Sequence, residues 1–194
     1  MKKMLVILAL AMVSFANAQK GSVLVMGSIN YSSQTYSFAG GDSEQNVFTF
    51  SPKVGYQFHQ NWTAGIEASV GTIKQENFDF DEQKTNTSSF GGFVRYTQPL
   101  NQTFSFYTDL GLGFQNLKRT AYNNNNMVGR EKADGIYVGV TPAIYINVNK
   151  GFGLNFNIGG LGYNTLSYNN GGGDVKSFDL SFGQAFSVGI SKNF

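Results

Sequence analysis

The chain has no cysteine, only three prolines and a single histidine, and charged residues make up just 13% of its 194 positions. The missing thiols exclude disulfides and a lipid-bearing cysteine at a processed amino terminus. No segment reaches the roughly 18 consecutive apolar residues that a membrane helix needs; the longest run, Met4 to Val13, is too short. Mean hydropathy is −0.18, the value of a soluble protein. Strands that alternate apolar and polar residues give the same average, because one half conceals the other. What the chain has in quantity is glycine (24), phenylalanine (18) and tyrosine (10), a composition that suits strands better than helices.

The amino terminus reads as an export signal. Lys2 and Lys3 form a basic start, the apolar run follows, and Ala16-Asn17-Ala18 supplies an A-x-A cleavage site. Residues 1–18 are expected to be a signal peptide cut after Ala18, leaving 19–194 as one domain. The formal excess of +2 resides in Lys2 and Lys3, so the mature chain is balanced and carries no charge bias toward nucleic acid.

The stretch that organises the rest is the last, FDLSFGQAFSVGISKNF, from Phe178 to Phe194. Phe178, Leu180, Phe182, Phe186, Val188, Ile190 and Phe194 alternate with small or polar residues, a period of two that means an extended strand with one apolar face. Lys192 interrupts that face near its end, where its stem can carry the ammonium to water. A strand crosses a bilayer in about 9 to 11 residues, so this one is long enough. Seven more segments show the same alternation: Ser22 to Ser32, Asn46 to Phe58, Trp62 to Val70, Phe90 to Tyr96, Phe104 to Phe114, Ile136 to Val148 and Phe152 to Ile158.

Short turns are predicted at His59–Asn61, Pro99–Asn101 and Asn149–Gly151, and four long Gly-, Ser- and Asn-rich loops on the other side. Three of the resulting hairpins are related in pattern. Lys53 to Gly71 lies over Phe93 to Gly111 and over Ala143 to Gly160 with turn position and apolar parity kept. Pro52 and Pro142 align as well, which predicts a bulge used twice, since proline inside a sheet is confined to bulges and edges. Eight strands joined by alternating short and long connections predict an all-β, antiparallel up-and-down barrel whose first and last strands close the sheet.

Two barrels fit such a meander. A soluble barrel of the lipocalin kind turns its apolar face inward, whereas a membrane barrel turns it outward. The apolar face is nearly free of charge, while the opposite face is dense in glycine (Gly55, Gly65, Gly111, Gly113, Gly139). An eight-stranded barrel has little more interior than its side chains fill, so the small-residue face belongs inside. Aromatics also gather at two levels. Tyr56, Phe58, Trp62, Tyr96 and Phe152 lie near the short turns, and Tyr31, Phe48, Phe90, Phe114 and Phe178 near the long loops, as two membrane interfaces require. The reading is a transmembrane barrel.

Charge on the inward face is confined to Lys53, Glu67, Arg95 and Asp109, with Asp179 farther out. The first four lie at similar depths and are expected to pair, because an unpaired charge there is costly. Their pairing would fill the lumen as a structural ion cluster; the other reading is a gate or proton path. Glu76, Asp79, Asp81 and Glu82 in the second loop match no calcium-loop spacing and read as a solvated face. Lys118, Arg119, Arg130 and Lys132 in the third loop form a basic rim suited to lipopolysaccharide phosphates. GGGD at Gly171 to Asp174 lacks the lysine-serine pair of a phosphate loop. No cofactor site is read from the sequence.

The export signal, the eight-strand meander and the terminal aromatic together resemble the small bacterial outer-membrane barrels of the OmpA, OmpX and OmpW type. The resemblance covers the mature chain. It implies residence in the Gram-negative cell envelope, short turns on the periplasmic side, and handling by the barrel-assembly machinery, with Phe186, Val188, Ile190 and Phe194 as the assembly signal. It departs from OmpA in carrying no peptidoglycan-binding domain after Phe194. Barrel enzymes similar in architecture use a histidine with an acid or serine, and His59 stands in a short turn without either, so no enzyme is expected. Two readings remain. One is a structural or surface-interaction protein that presents four extracellular loops to a ligand; the other is a narrow porin-like channel for small or apolar solutes. Architecture alone settles place and not activity.

Overall fold

The computed structural model describes residues 21–38, 41–77, 80–123, 126–169, 171 and 173–193. Alternation drives the whole chain into eight antiparallel strands: β1 (Val23–Phe38), β2 (Gly41–His59), β3 (Trp62–Asn77), β4 (Phe80–Pro99), β5 (Phe104–Asn123), β6 (Asn126–Asn149), β7 (Phe152–Tyr168) and β8 (Asp174–Asn193). Each pairs with its sequence neighbours, and β1 meets β8 to close the barrel. The predicted closed meander is what the molecule adopts. Ala16 and Ala18 of the cleavage motif lie outside the described residues, as does Phe194.

The short turns follow local chemistry. Between β6 and β7, Lys150 and Gly151 both take positive φ (44° and 78°), the pair of left-handed conformations that a two-residue hairpin of type I′ demands. Between β4 and β5 the turn runs one residue pair farther than the sequence suggests. Asn101 Oδ1 accepts from the backbone N–H of Thr103 and of Phe104, each at 2.8 Å, a side-chain cap that starts β5.

On the opposite side, three of the four expected long loops are strand. The ladders of β1–β2, β3–β4 and β5–β6 continue to Phe38↔Gly41, Asn77↔Phe80 and Asn123↔Asn126. Ser33-Gln34-Thr35 and Thr85-Asn86-Thr87-Ser88 look like loop because they do not alternate. Beyond the bilayer both faces of the wall meet water, so alternation is no longer required and backbone hydrogen bonds alone extend the hairpin. Among the described residues of the four connections, 169, 171 and 173 between β7 and β8 lie outside strand structure.

The two prolines turn out to differ. At Pro142 the β6–β7 register shifts between Val140↔Leu161 and Ala143↔Asn157, so β7 carries one extra residue and Gly159 takes φ +124°. The inward positions of β7 thereby change from Asn155 and Asn157 to Gly162 and Asn164. At Pro52 there is no shift; the β2–β3 ladder passes from Phe50↔Val70 to Lys53↔Glu67 in step. The predicted bulge therefore exists at one proline and not at the other.

A second irregularity lies in β8. Its pairing with β7 jumps from Asn157↔Ser187 to Gly159↔Phe182, so four residues, 183–186, stand against Ile158 alone. Just there the closing ladder ends. Among the described residues β1 and β8 pair from Leu24↔Asn193 to Gly27↔Ile190, while β1 pairs with β2 along its full length. Outside the foot of this seam lies an apolar groove of about 510 Å³ lined by Val25, Ile29, Phe50, Phe152 and Ile190.

Candidate functional site: the plugged lumen

Parity puts Lys53, Glu67, Arg95 and Asp109 on the inner face of four consecutive strands, β2 to β5, and the register brings them to one level: Lys53↔Glu67 and Arg95↔Asp109 are directly opposite pairs. Arg95 binds Asp109 through two near-parallel bonds, Nε to Oδ1 at 2.6 Å and Nη2 to Oδ2 at 2.9 Å. This fork geometry is the strong form of a charge-assisted hydrogen bond. Lys53 Nζ lies 2.7 Å from Glu67 Oε2 and 3.1 Å from Asp109 Oδ2, and so joins the two pairs into one chain of alternating charge. Arg95 and Asp109 are 5% and 3% exposed while Lys53 and Glu67 are half-buried, so the network is formally neutral and buried at its Arg95–Asp109 end.

Sequence reasoning missed the groups that finish the plug. Tyr137 of β6 reaches across to donate to Glu67 Oε1 at 2.8 Å. Tyr107 lays its ring 3.7 Å beneath the Arg95 guanidinium, and the Phe93 ring faces both cations, 5.1 Å from Lys53 and 5.9 Å from Arg95. Arg95 Nη2 also donates to Met26 Sδ at 3.2 Å. A signal was available: Phe93, Tyr107 and Tyr137 are aromatics on the glycine-rich parity, and an aromatic among glycines fills the space they vacate. Gly91, Gly111 and Gly113 show the complement. A methyl at Gly111 would strike the Glu67 carboxylate, and one at Gly91 the Tyr137 hydroxyl.

Toward the short turns the plug is backed by Asn155, whose Nδ2 donates to Ser191 Oγ at 2.9 Å. A polar recess of about 190 Å³ between Gln57, Thr63, Tyr107 and Tyr145 opens below Arg95. Toward the long hairpins the lumen is different in kind. Asp179 and Ser181 point inward yet are exposed, so Asp179 stays apart from the cluster. His59 is exposed at the tip of the β2–β3 turn. Among the described residues no three His, Asp or Glu converge as a metal site. Phe186 and Val188 lie in β8 with side chains outside the described residues; Ile190 points outward beside the seam.

The outer surface carries the reverse chemistry. Ile66, Val70, Phe90, Leu110, Leu112, Phe114 and Ile136 are exposed to the surroundings, and Trp62 and Tyr96 meet edge to face at 5.0 Å in the ring near the short turns. So large an apolar belt on a monomeric soluble protein would drive aggregation; in lipid it is the required surface. A polar, plugged interior inside an apolar wall defines an integral membrane β-barrel.

Residues 4–193 match the outer membrane protein beta-barrel domain family, and the chain belongs to it; its place is the bacterial outer membrane. No curated protein matches the chain. Among solved structures it is similar to a major outer membrane protein from Thermus thermophilus, at 11% identity over 91% of this chain and 100% of that one with a TM-score of 0.50. It is also similar to Ail, the attachment invasion locus protein of Yersinia pestis (14% identity, 90% and 97% coverage, TM-score 0.48). Neisserial surface protein A matches at 15% identity, with the same coverage and a TM-score of 0.43. At such identities a likeness speaks for fold alone.

Proposed function

We propose that this barrel is a non-catalytic, non-conducting surface protein that holds three long β-hairpins and one loop outside the cell. The observation that carries this reading is the Lys53–Glu67–Asp109–Arg95 chain, which spans the inner face of β2 to β5 and, with its aromatic packing, occupies the lumen at that level. The hairpins, mostly polar on both faces with Tyr36, Met127 and Val128 exposed among them, supply the interaction surface for an extracellular ligand. Lipopolysaccharide and outer-membrane phospholipids surround the wall. The barrel-assembly machinery recognises the stretch that carries Phe186, Val188, Ile190 and Phe194. His59 stands at the end opposite the hairpins, which supports a non-enzymatic role. Planar-bilayer recording of the purified protein tests the closed lumen: no unitary conductance is expected, and a resolved, reproducible open level in the wild type would overturn it.

A second reading has an observation of its own. Among the described residues the β1–β8 ladder ends at Gly27↔Ile190, and on the β8 side beyond it Asp179 and Ser181 face the lumen and are exposed. This favours a route for small apolar solutes that enters from outside and leaves laterally without crossing the plug. Uptake of an apolar solute into vesicles by a protein that carries no ion current would support this route over the surface role.

A further inference from the structure

The outward face above the upper aromatic ring carries four lysines whose placement the register makes unusual. Lys74 of β3 stands directly opposite Lys84 of β4, and Lys118 of β5 directly opposite Lys132 of β6. Alternation from Val70, Phe90, Phe114 and Ile136, with no register shift in between, puts all four on the lipid side. Like charges directly opposed across a ladder destabilise it. Among the described residues, none of the four has a carboxylate within ion-pairing distance.

The two pairs also share one height. The rung through Trp62 and Tyr96 meets β5 at Thr108, four residues past its start at Phe104, so rungs climb away from the short turns on passing from β3 toward β5. Lys118 is on the rung of Asn86 and Thr72, two residues below that of Lys84 and Lys74; the climb offsets the step. Lys74 is twelve residues beyond Trp62, which at about 2.6 Å of height per residue in a tilted strand is about 30 Å. The apolar band is about 25 Å tall, so the ammonium groups stand where outer headgroup phosphates lie. A polar collar, Thr72 with Asn86 and Asn116 with the Asp134 carboxylate, separates them from the aromatic ring, and Asp134 is the one acidic group on it. Glu44, Glu76 and Glu82 follow one step farther out.

We propose that Lys74, Lys84, Lys118 and Lys132 form a cationic belt that binds the phosphates of an outer-leaflet glycolipid whose acyl chains lie on the Phe90, Phe114 and Ile136 surface below. The belt deepens the lipopolysaccharide partnership proposed above and is independent of whether the lumen conducts. Bound phosphate relieves the repulsion of both lysine pairs at once, and two opposed pairs at one height suit a headgroup with two phosphates.

The test uses the full-length barrel in detergent micelles with diphosphoryl lipid A, its dephosphorylated form, or phosphatidylglycerol as probes. Wild type is expected to retain diphosphoryl lipid A through purification and to melt higher with it, at least tenfold more tightly than with either other lipid. The quadruple variant Lys74→Gln, Lys84→Gln, Lys118→Gln, Lys132→Gln should lose that preference while keeping its heat-modifiable gel shift as proof of folding. Lys150→Gln, at the opposite membrane face, should behave as wild type. Lys84→Gln alone offers a sign test: without added lipid it should melt no lower than wild type, and with diphosphoryl lipid A it should melt lower. Retention by wild type and quadruple variant alike, or equal binding of phosphatidylglycerol, would overturn the belt alone. Failure of the wild type to bind diphosphoryl lipid A would remove the lipopolysaccharide partnership as well.

Discussion

The β4–β5 wall and the β8–β1 wall belong to one sheet and obey one alternation, yet they are held very differently. β4 and β5 pair without a break from Glu82↔Tyr122 to Pro99↔Ser105. Across their inner face Arg95 grips Asp109, and close glycines let Glu67 and Tyr137 pack against them. Among the described residues β8 and β1 pair from Leu24↔Asn193 to Gly27↔Ile190, four rungs in all. The difference is one of connectivity. β4 and β5 are joined by a short turn, so their ladder forms locally, whereas β1 and β8 are the two ends of the barrel and meet only after the whole chain has closed around them. β8 also spends residues 183–186 against a single residue of β7, which carries its upper half out of step with β1. A closed meander therefore concentrates its rigidity where hairpins are local and its weakness at the closing seam.

Removing the grip on the strong side should have the largest effect. Arg95→Ala leaves Asp109 buried with only Lys53 for a partner, a loss of about 3 to 5 kcal/mol. Its melting temperature in detergent should fall well below that of the wild type, and small ion currents should appear in bilayers. A melt superimposable on wild type would show that the cluster does not hold the wall. Stapling the weak side comes next. An ideal Cβ at Gly189 lies 3.8 Å from the Ser28 Cβ, the separation of a relaxed disulfide. Ser28→Cys with Gly189→Cys should oxidise in a chain that has no other thiol and gain about 2 to 4 kcal/mol over its reduced form. Free, reactive thiols under oxidising conditions would mean that the strands part below this level. Tyr137→Phe should cost about 1.5 to 3 kcal/mol, because only the hydrogen bond to the Glu67 carboxylate is lost; denaturant midpoints against wild type measure it. Smallest is Gln115→Ala, on the inner face above the plug, which gives up one bond to the Thr165 carbonyl. A change within about 1 kcal/mol and no ion current are expected, and a loss equal to that of Arg95→Ala would erase the distinction between plug and upper lumen.

Period-two patterning made the eight strands legible, and the inward parity of Lys53, Glu67, Arg95 and Asp109 was legible with them, because a side chain's face follows from counting. The strand ends toward the hairpins were not. Thr85 to Ser88 lies in ladder structure without an apolar face, and nothing in its composition separates a solvated strand from a loop. Tyr137 escaped because its partner Glu67 is three strands away around the barrel, and the two prolines escaped because identical residues at matching positions met different neighbours.

What the sequence by itself determined is which residues face lipid and which face the lumen. Alternation is a property of the chain, and the bilayer then selects the apolar side. What only the tertiary structure decided is which residues share a level. That depends on register, bulges and strand tilt, which place Arg95 against Asp109, set Lys74 against Lys84 and Lys118 against Lys132 above the aromatic ring, and end the β1–β8 ladder of the described residues at Gly27. These are relations between strands distant in sequence, where one residue of slip moves every partner and the chain carries no local record of the choice.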